Sequence, residues 1–296
     1  MDQYRTTKQL YQQQKLITPK TKKNMKNKLK KDLSWEIEVL PVQIKGQTKV
    51  LNKALVRSDD QKLIGIRSRY YKPVFNKDLE AIKEKILNTG GFSFKGYEEF
   101  KRGKRILAFF ENKKKYKLCG ERVEDYLIIG NSNDGSSKLF IGTSNYMYRC
   151  ENMFSERIRA FERRHDQTFD IDAIDIEEIL DTYENGRQDL YRNMELLEAT
   201  PATMDLMTSL GPILLNPNLH KENKDILKRR EEEQQILFYD CIKKEVGELG
   251  FNLWGVLNGV TRYTSNHLTG NKGFGIVNGR GERLNRQAMK YLMSLT

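Results

Sequence analysis

The chain of 296 residues is 38% hydrophobic and 31% charged, with a formal net charge of +12, a balance that fits one large or two modest globular domains with a substantial core. Nothing in it approaches the roughly 20 consecutive apolar residues of a membrane helix, and the opening MDQYRTTKQL has no apolar segment of the secretory kind. Cys119, Cys150 and Cys241 are odd in number and widely separated, which argues against a disulfide framework or a zinc site and for a reducing, cytoplasmic setting.

The excess charge sits at the start. Residues 1–31 hold ten Lys or Arg and one Asp, whereas the remaining chain has 42 basic and 39 acidic residues. The segment TPKTKKNMKNKLKK is almost free of large apolar residues, so residues 1–31 are expected to form a flexible arm. Lys22, Lys23, Lys26, Lys28, Lys30 and Lys31 are its candidate phosphate contacts, since each phosphate neutralised releases a counterion. The competing reading is a tail that only keeps the protein soluble.

From Trp35 the texture changes. WEIEVLPVQI alternates as a strand, with Pro41 marking an edge or a bulge. KALVRSDD and LIGIRSRYY read as two strands around Asp59-Asp60-Gln61. Asn76 predicts an N-cap, Asp78 falls in the first turn, Leu79, Ile82 and Ile86 share one face, and Gly90-Gly91 closes this helix. Strands resume in GFSFKGYEEF, RILAFF and YKLCG. Next comes the stretch around which the chain is organised, Tyr126 to Glu151. An apolar run to Ile129 stops at Gly130, the turn formers Asn131, Ser132, Asn133, Asp134, Gly135, Ser136 and Ser137 follow, and a second run starts at Leu139. This predicts two strands around a long hairpin loop.

After Cys150 the pattern turns helical. Phe154, Ile158, Phe161 and His165 fall on one helical stripe, and Ile171, Ile174, Ile179, Leu180 and Tyr183 make a second pattern. Thr200-Pro201 opens a third helix, which Pro212 and Asn216-Pro217 break. Residues 221–246 read as a long polar helix, and Leu253 to His267 as a strong one with Trp254 in the core. A Gly-rich loop, Gly270 to Gly281, leads to a closing helix that buries Leu284, Ala288 and Leu292.

Three of these stretches resemble the signature of the phage/plasmid-like family labelled domain of unknown function 932. The loop Asn131 to Ser137 after a strand is one, with a second strand that closes on Cys150, Glu151 and Asn152. NLWGVLNGVTRYTSNH, Asn252 to His267, is another, and GIRSRYYKPVFN, Gly65 to Asn76, is a weaker third. The resemblance runs from about residue 60 to residue 292 and implies phage or plasmid origin. The family label assigns no activity.

Catalytic patterns are thin. Asp166, Asp170, Asp172, Asp175, Glu177, Glu178, Asp181 and Glu184 could pair to hold Mg²⁺ for phosphodiester hydrolysis, but Asp175, Glu178 and Asp181 fit the solvated face of a helix. His165 and His267 end apolar stripes and read as packing residues; Cys150 has no assured base. No dinucleotide fingerprint, Walker-type Gly-Lys-Ser/Thr or nucleophile elbow is present. No catalytic residue, metal or cofactor is therefore named, and the balance of patterns is against an enzyme without closing the question.

Binding patterns are richer. Arg67, Arg69 and Lys72 interleave with Tyr70 and Tyr71, so cations could track phosphates while a ring stacks on a base. KRGKR, Lys101 to Arg105, places Arg102, Lys104 and Arg105 around a turn, and Lys113, Lys114 and Lys115 repeat the theme. Either tyrosine could instead pack inward, with the lysines keeping a sheet edge soluble.

The expected fold is α+β: a flexible basic arm (1–31), an antiparallel β-rich half with one packed helix (32–152) and a helical half (153–296), the last two integrated. The order of strands and helix, with basic strands, is similar by architectural analogy to phage single-strand annealing proteins of the RecT and Erf kind. The expected function is ATP-independent binding or annealing of single-stranded DNA in recombination or replication, by a homo-oligomer away from membranes, in the host cytoplasm if phage-encoded. The alternatives are a protein-interaction module acting on a host complex and a metal-dependent nuclease.

Overall fold

A computed structural model of the chain describes residues 29–42, 52–147, 153–170, 172–215, 224–268 and 279–296. It is α+β, with antiparallel sheets in the first half and helices in the second. Strands β1 (Ile37–Val42), β2 (Asn52–Arg57) and β3 (Leu63–Ser68) form a small sheet in the order β1-β2-β3. Pro41, which has no N–H to donate, sits on its edge strand β1. Helix α1 (Asn76–Asn88) leads to the larger sheet. That sheet comprises β4 (Phe92–Phe100), β5 (Arg105–Asn112), β7 (Glu121–Ser132), β8 (Leu139–Met147) and β9 (Met153–Arg163) in that order, with β6 (Tyr116–Leu118) paired to β7. Helices α2 (Ile176–Ala199), α3 (Met204–Leu215), α4 (Lys224–Leu249), α5 (Leu253–Asn266) and α6 (Arg280–Met293) complete the chain.

The unbroken apolar run of β5 follows from burial on both faces. Ile106, Ala108 and Phe110 join Leu127, Ile129 and Ile141 in a core closed by Leu79, Ile82 and Ile86 of α1, by Trp35 and by the first turns of α2. Leu107 and Phe109 point the other way, to Ile128 and Phe140, against Leu29 and Phe100. Gly130 stands opposite Phe140, and a Cβ there would lie 2.1 Å from the Phe140 ring. Leu118 and Val123 of the sheet share the core of the helices. There Gly255 and Gly259 let the backbone of α5 touch α4: a Cβ on Gly259 would sit 2.3 Å from the Ile242 Cα.

Several elements differ from the sequence reading. Phe154 to His165 is not a helix; residues 153–163 form β9, paired with β8. The helical stripe is a local pattern, whereas the edge of β8 offers a ladder of backbone hydrogen bonds that no local pattern reveals. Thr200-Pro201 does not open α3. Thr200 ends α2, Pro201 pairs with Asn252, and the Thr203 hydroxyl accepts the Leu206 N–H at 3.2 Å as the real cap. Pro212 lies inside α3 rather than breaking it; its exposed position leaves the unpaired carbonyl one turn earlier to water. Asn76 is the first residue of α1 and not its cap: its buried amide donates to the Trp35 carbonyl at 2.6 Å, while Glu36 accepts the N–H groups of Asn76 and Lys77 at 2.8 and 3.0 Å. Ile171, Asn216-Pro217 and most of the Gly270 to Gly281 loop lie outside the described residues.

Candidate nucleic-acid interface

Pairing with β5 carries β7 through Asn131 and Ser132, two residues beyond the strand end expected at Gly130, and the segment from Asn131 to Ser137 is built inward. Asn131, Ser132 and Asn133 are fully buried. The Asn131 amide donates to Asn133 Oδ1 at 2.7 Å and to the Val74 carbonyl at 3.4 Å. Ser132 Oγ donates to the Ser137 carbonyl at 2.6 Å and accepts the Ser137 N–H at 2.8 Å, so one hydroxyl closes the loop. Asp134 Oδ1 accepts the Ser136 N–H at 3.0 Å. With the N–H groups of Gly135, Ser136 and Ser137 engaged inside the loop and those of Asn133 and Asp134 engaged by the Lys104 carbonyl, the loop is a scaffold rather than an anion nest.

Two basic segments are seated on this scaffold. In the β4–β5 turn, the Lys104 carbonyl accepts the N–H groups of Asn133 and Asp134 at 2.8 and 3.4 Å, and the Asn133 amide donates to the Gly103 carbonyl at 2.8 Å. Arg105 Nε donates to Ser136 Oγ at 3.0 Å. From β3, Arg67 reaches Gly135: a Cβ there would meet Arg67 Nε at 2.7 Å and the Tyr71 ring at 3.0 Å, and its φ of 64° favours glycine in any case. The Gly65 backbone packs against Asp134. Two stretches that resemble the family signature, Gly65 to Asn76 and Asn131 to Ser137, therefore meet in space. The third is α5, a core helix, and Cys150 to Asn152 lie outside the described residues.

Tyr70 and Tyr71 part company. Tyr70 is exposed, with the Arg69 guanidinium 4.7 Å from its ring centroid. Tyr71 packs inward, stacked on His165 with its hydroxyl donating to the Ser132 carbonyl at 3.2 Å; burial pushes that phenol up. His165 is buried between Tyr71 and Phe169, and burial lowers it to about 4, so it is neutral at pH 7.

The cations divide as well. Lys30 is paired: its backbone bridges to Tyr97, and Nζ lies 2.6 Å from Glu99. Burial alone would raise the Glu99 carboxyl, but hydrogen bonds from Lys30, Trp35 and Arg57 hold it below its ordinary value. Lys31 Nζ lies 3.5 Å from the Lys95 carbonyl, and Lys72 Nζ donates to the Phe169 carbonyl at 2.6 Å. Lys115 is ion-paired with Glu111. Among the described residues, Arg67, Arg69, Lys101, Arg102 and Lys104 make no ion pair with a carboxylate. Lys22, Lys23, Lys26 and Lys28 lie outside the described residues.

A support that the sequence did not reveal lies beneath the turn. The buried Arg57 guanidinium sits 3.9 Å above the Trp35 ring and binds Asp59 and Glu99. Four of the acidic side chains have local partners: Asp166 accepts from Thr168, Asp170 from the Asp172 N–H, Asp175 caps α2, and Glu184 binds Arg187. Among the described residues no three His, Cys, Asp or Glu side chains converge as metal ligands, and no helix is long and apolar enough to cross a membrane.

The model of the family described as Domain of unknown function (DUF932) matches residues 63–290. No curated protein and no solved structure matches the chain.

Proposed function

For a chain that belongs to the family of domain of unknown function 932, we propose ATP-independent binding of nucleic acid, with single-stranded DNA held or annealed on the face around the Asn131 to Ser137 loop. One observation carries this reading: basic segments far apart in sequence, around Arg67 and Lys104, are fixed to one scaffold by Asn133, Gly135 and Ser136. Arg69, Lys101, Arg102 and Lys104 would meet phosphates, and Tyr70 is the exposed ring for base stacking. Such binding needs no catalytic residue. Assembly as a homo-oligomer, with a phage or plasmid setting, belongs to the same proposal.

The test is Arg69→Ala/Tyr70→Ala in a salt titration against a labelled single strand. Loss of one phosphate contact and one stack predicts roughly tenfold weaker binding, about 1.4 kcal/mol, with a salt slope shallower by about 0.7. Unchanged affinity and slope would remove the interface from this face.

A second reading, docking of another protein, draws on the outer face of the small sheet. Leu40, Ala54 and Ile66 are cross-strand neighbours there, and Leu40, Ile66 and Leu63 are exposed. Ile66→Lys separates the two, because it would abolish protein capture and leave DNA binding intact.

A further inference from the structure

The turn between β4 and β5 passes through Lys101, Arg102 and Gly103 with φ values of 50°, 59° and 81°, three consecutive left-handed residues. Residues with a Cβ disfavour that region, and glycine or asparagine would occupy it more easily. Gln61 is also left-handed, but singly, and Cys119 forms a run of only two with Gly120. Two adjacent cations thus hold the conformation that suits them least, and both are exposed without a carboxylate partner among the described residues.

Strain of this kind persists only where the surroundings over-determine the backbone. Here they do. A Cβ on Gly103 would lie 2.4 Å from the Trp35 ring and 2.6 Å from Arg57 Nη1, so the turn is wedged against the Arg57–Trp35 stack. From the other side Asn133 holds the Gly103 and Lys104 carbonyls at 2.8 Å each. The turn is clamped between β2 and the loop after β7, and the directions of the Lys101 and Arg102 side-chain stems are set in advance.

We propose that Lys101-Arg102-Gly103 is a preformed phosphate clamp for a single strand, whose left-handed backbone is retained because it presents two cations in fixed directions. This rests on the nucleic-acid reading above and adds the element that grips the backbone. Fixing the side-chain stems before contact lowers the ordering cost of binding, which a flexible lysine-rich tip would meet in full.

Arg102→Asn is the test, since asparagine tolerates the left-handed region and adds no glycine-like freedom to the unfolded chain. Thermal melting and anisotropy with a labelled 30-mer single strand are measured on the full chain, beside Lys101→Asn. The clamp predicts variants that melt about 1–2 °C higher than wild type yet bind roughly tenfold more weakly, with a salt slope shallower by about 0.7. Wild-type affinity and slope in both variants would overturn the clamp and leave the interface around Arg69 and Tyr70 standing. A lower melting temperature in both would show that the turn is not strained and would also overturn it. Absence of binding by the wild type would remove the nucleic-acid reading and the clamp together.

Discussion

Tyr71 lies flat on His165, with ring centroids 5.3 Å apart and planes 14° from parallel, and its hydroxyl reaches the Ser132 carbonyl at 3.2 Å. One of the two tyrosines that the sequence offers for base stacking is therefore a pillar under the loop. Tyr71→Phe should cost about 1 kcal/mol through the lost hydrogen bond and leave DNA affinity unchanged. Tyr70→Ala should do the reverse, weakening binding at wild-type stability. Urea unfolding and anisotropy on both variants check the division.

His165 gives a pH signature. Its ordinary value is near 6.5 and burial lowers it to about 4. Below pH 6.5 the unfolded chain takes up a proton that the folded state refuses. Stability from this group is thus complete above pH 6.5 and is lost as pH falls toward 4. His165→Phe keeps the stack and removes the titration. Between pH 7.5 and 4.5 its stability relative to wild type should improve by about 2–3 kcal/mol in urea unfolding. A constant difference would contradict a neutral, buried His165.

Gly259 is a packing residue. A Cβ there would meet the Ile242 Cα at 2.3 Å, and backbone does not yield as a flexible side chain does. Gly259→Ala should destabilise the protein by about 3 kcal/mol despite the better helix propensity of alanine, read as a lower urea midpoint at unchanged slope.

The basic segment has an anchored end. Lys30 exchanges two backbone hydrogen bonds with Tyr97, at 2.8 and 2.7 Å, and Leu29 packs beside the core on that face of the sheet. Removing residues 1–28 should weaken DNA binding and flatten its salt slope at unchanged melting temperature. Removing residues 1–31 should also cost about 1–3 kcal/mol of stability, which differential melting of the two truncations would reveal.

Much of the fold is written in local pattern. The stripe Leu79, Ile82 and Ile86 of α1 is buried as its spacing predicts, as are Leu284, Ala288 and Leu292 of α6 and Trp254 of α5. Where the reading fails, the deciding partner is distant. The stripe from Phe154 to His165 suits a helix, but hydrogen bonding to β8 makes residues 153–163 a strand. The site divides in the same way. Runs such as KRGKR and RSRYYK locate the cations, but nothing local shows that Lys30 is paired with Glu99, 69 residues away. Nor does local sequence show that Asn133 holds the Gly103 carbonyl, or which tyrosine turns inward.

We propose that a single strand binds the cations gathered around the Asn131 to Ser137 loop. Anisotropy of a labelled 30-mer single strand with the full chain, titrated with salt, tests it most directly. Tight binding at low salt, with log affinity falling linearly against log salt and a shallower slope in Arg69→Ala/Tyr70→Ala, is the predicted result. No binding at low salt, or a slope indifferent to those residues, would contradict it.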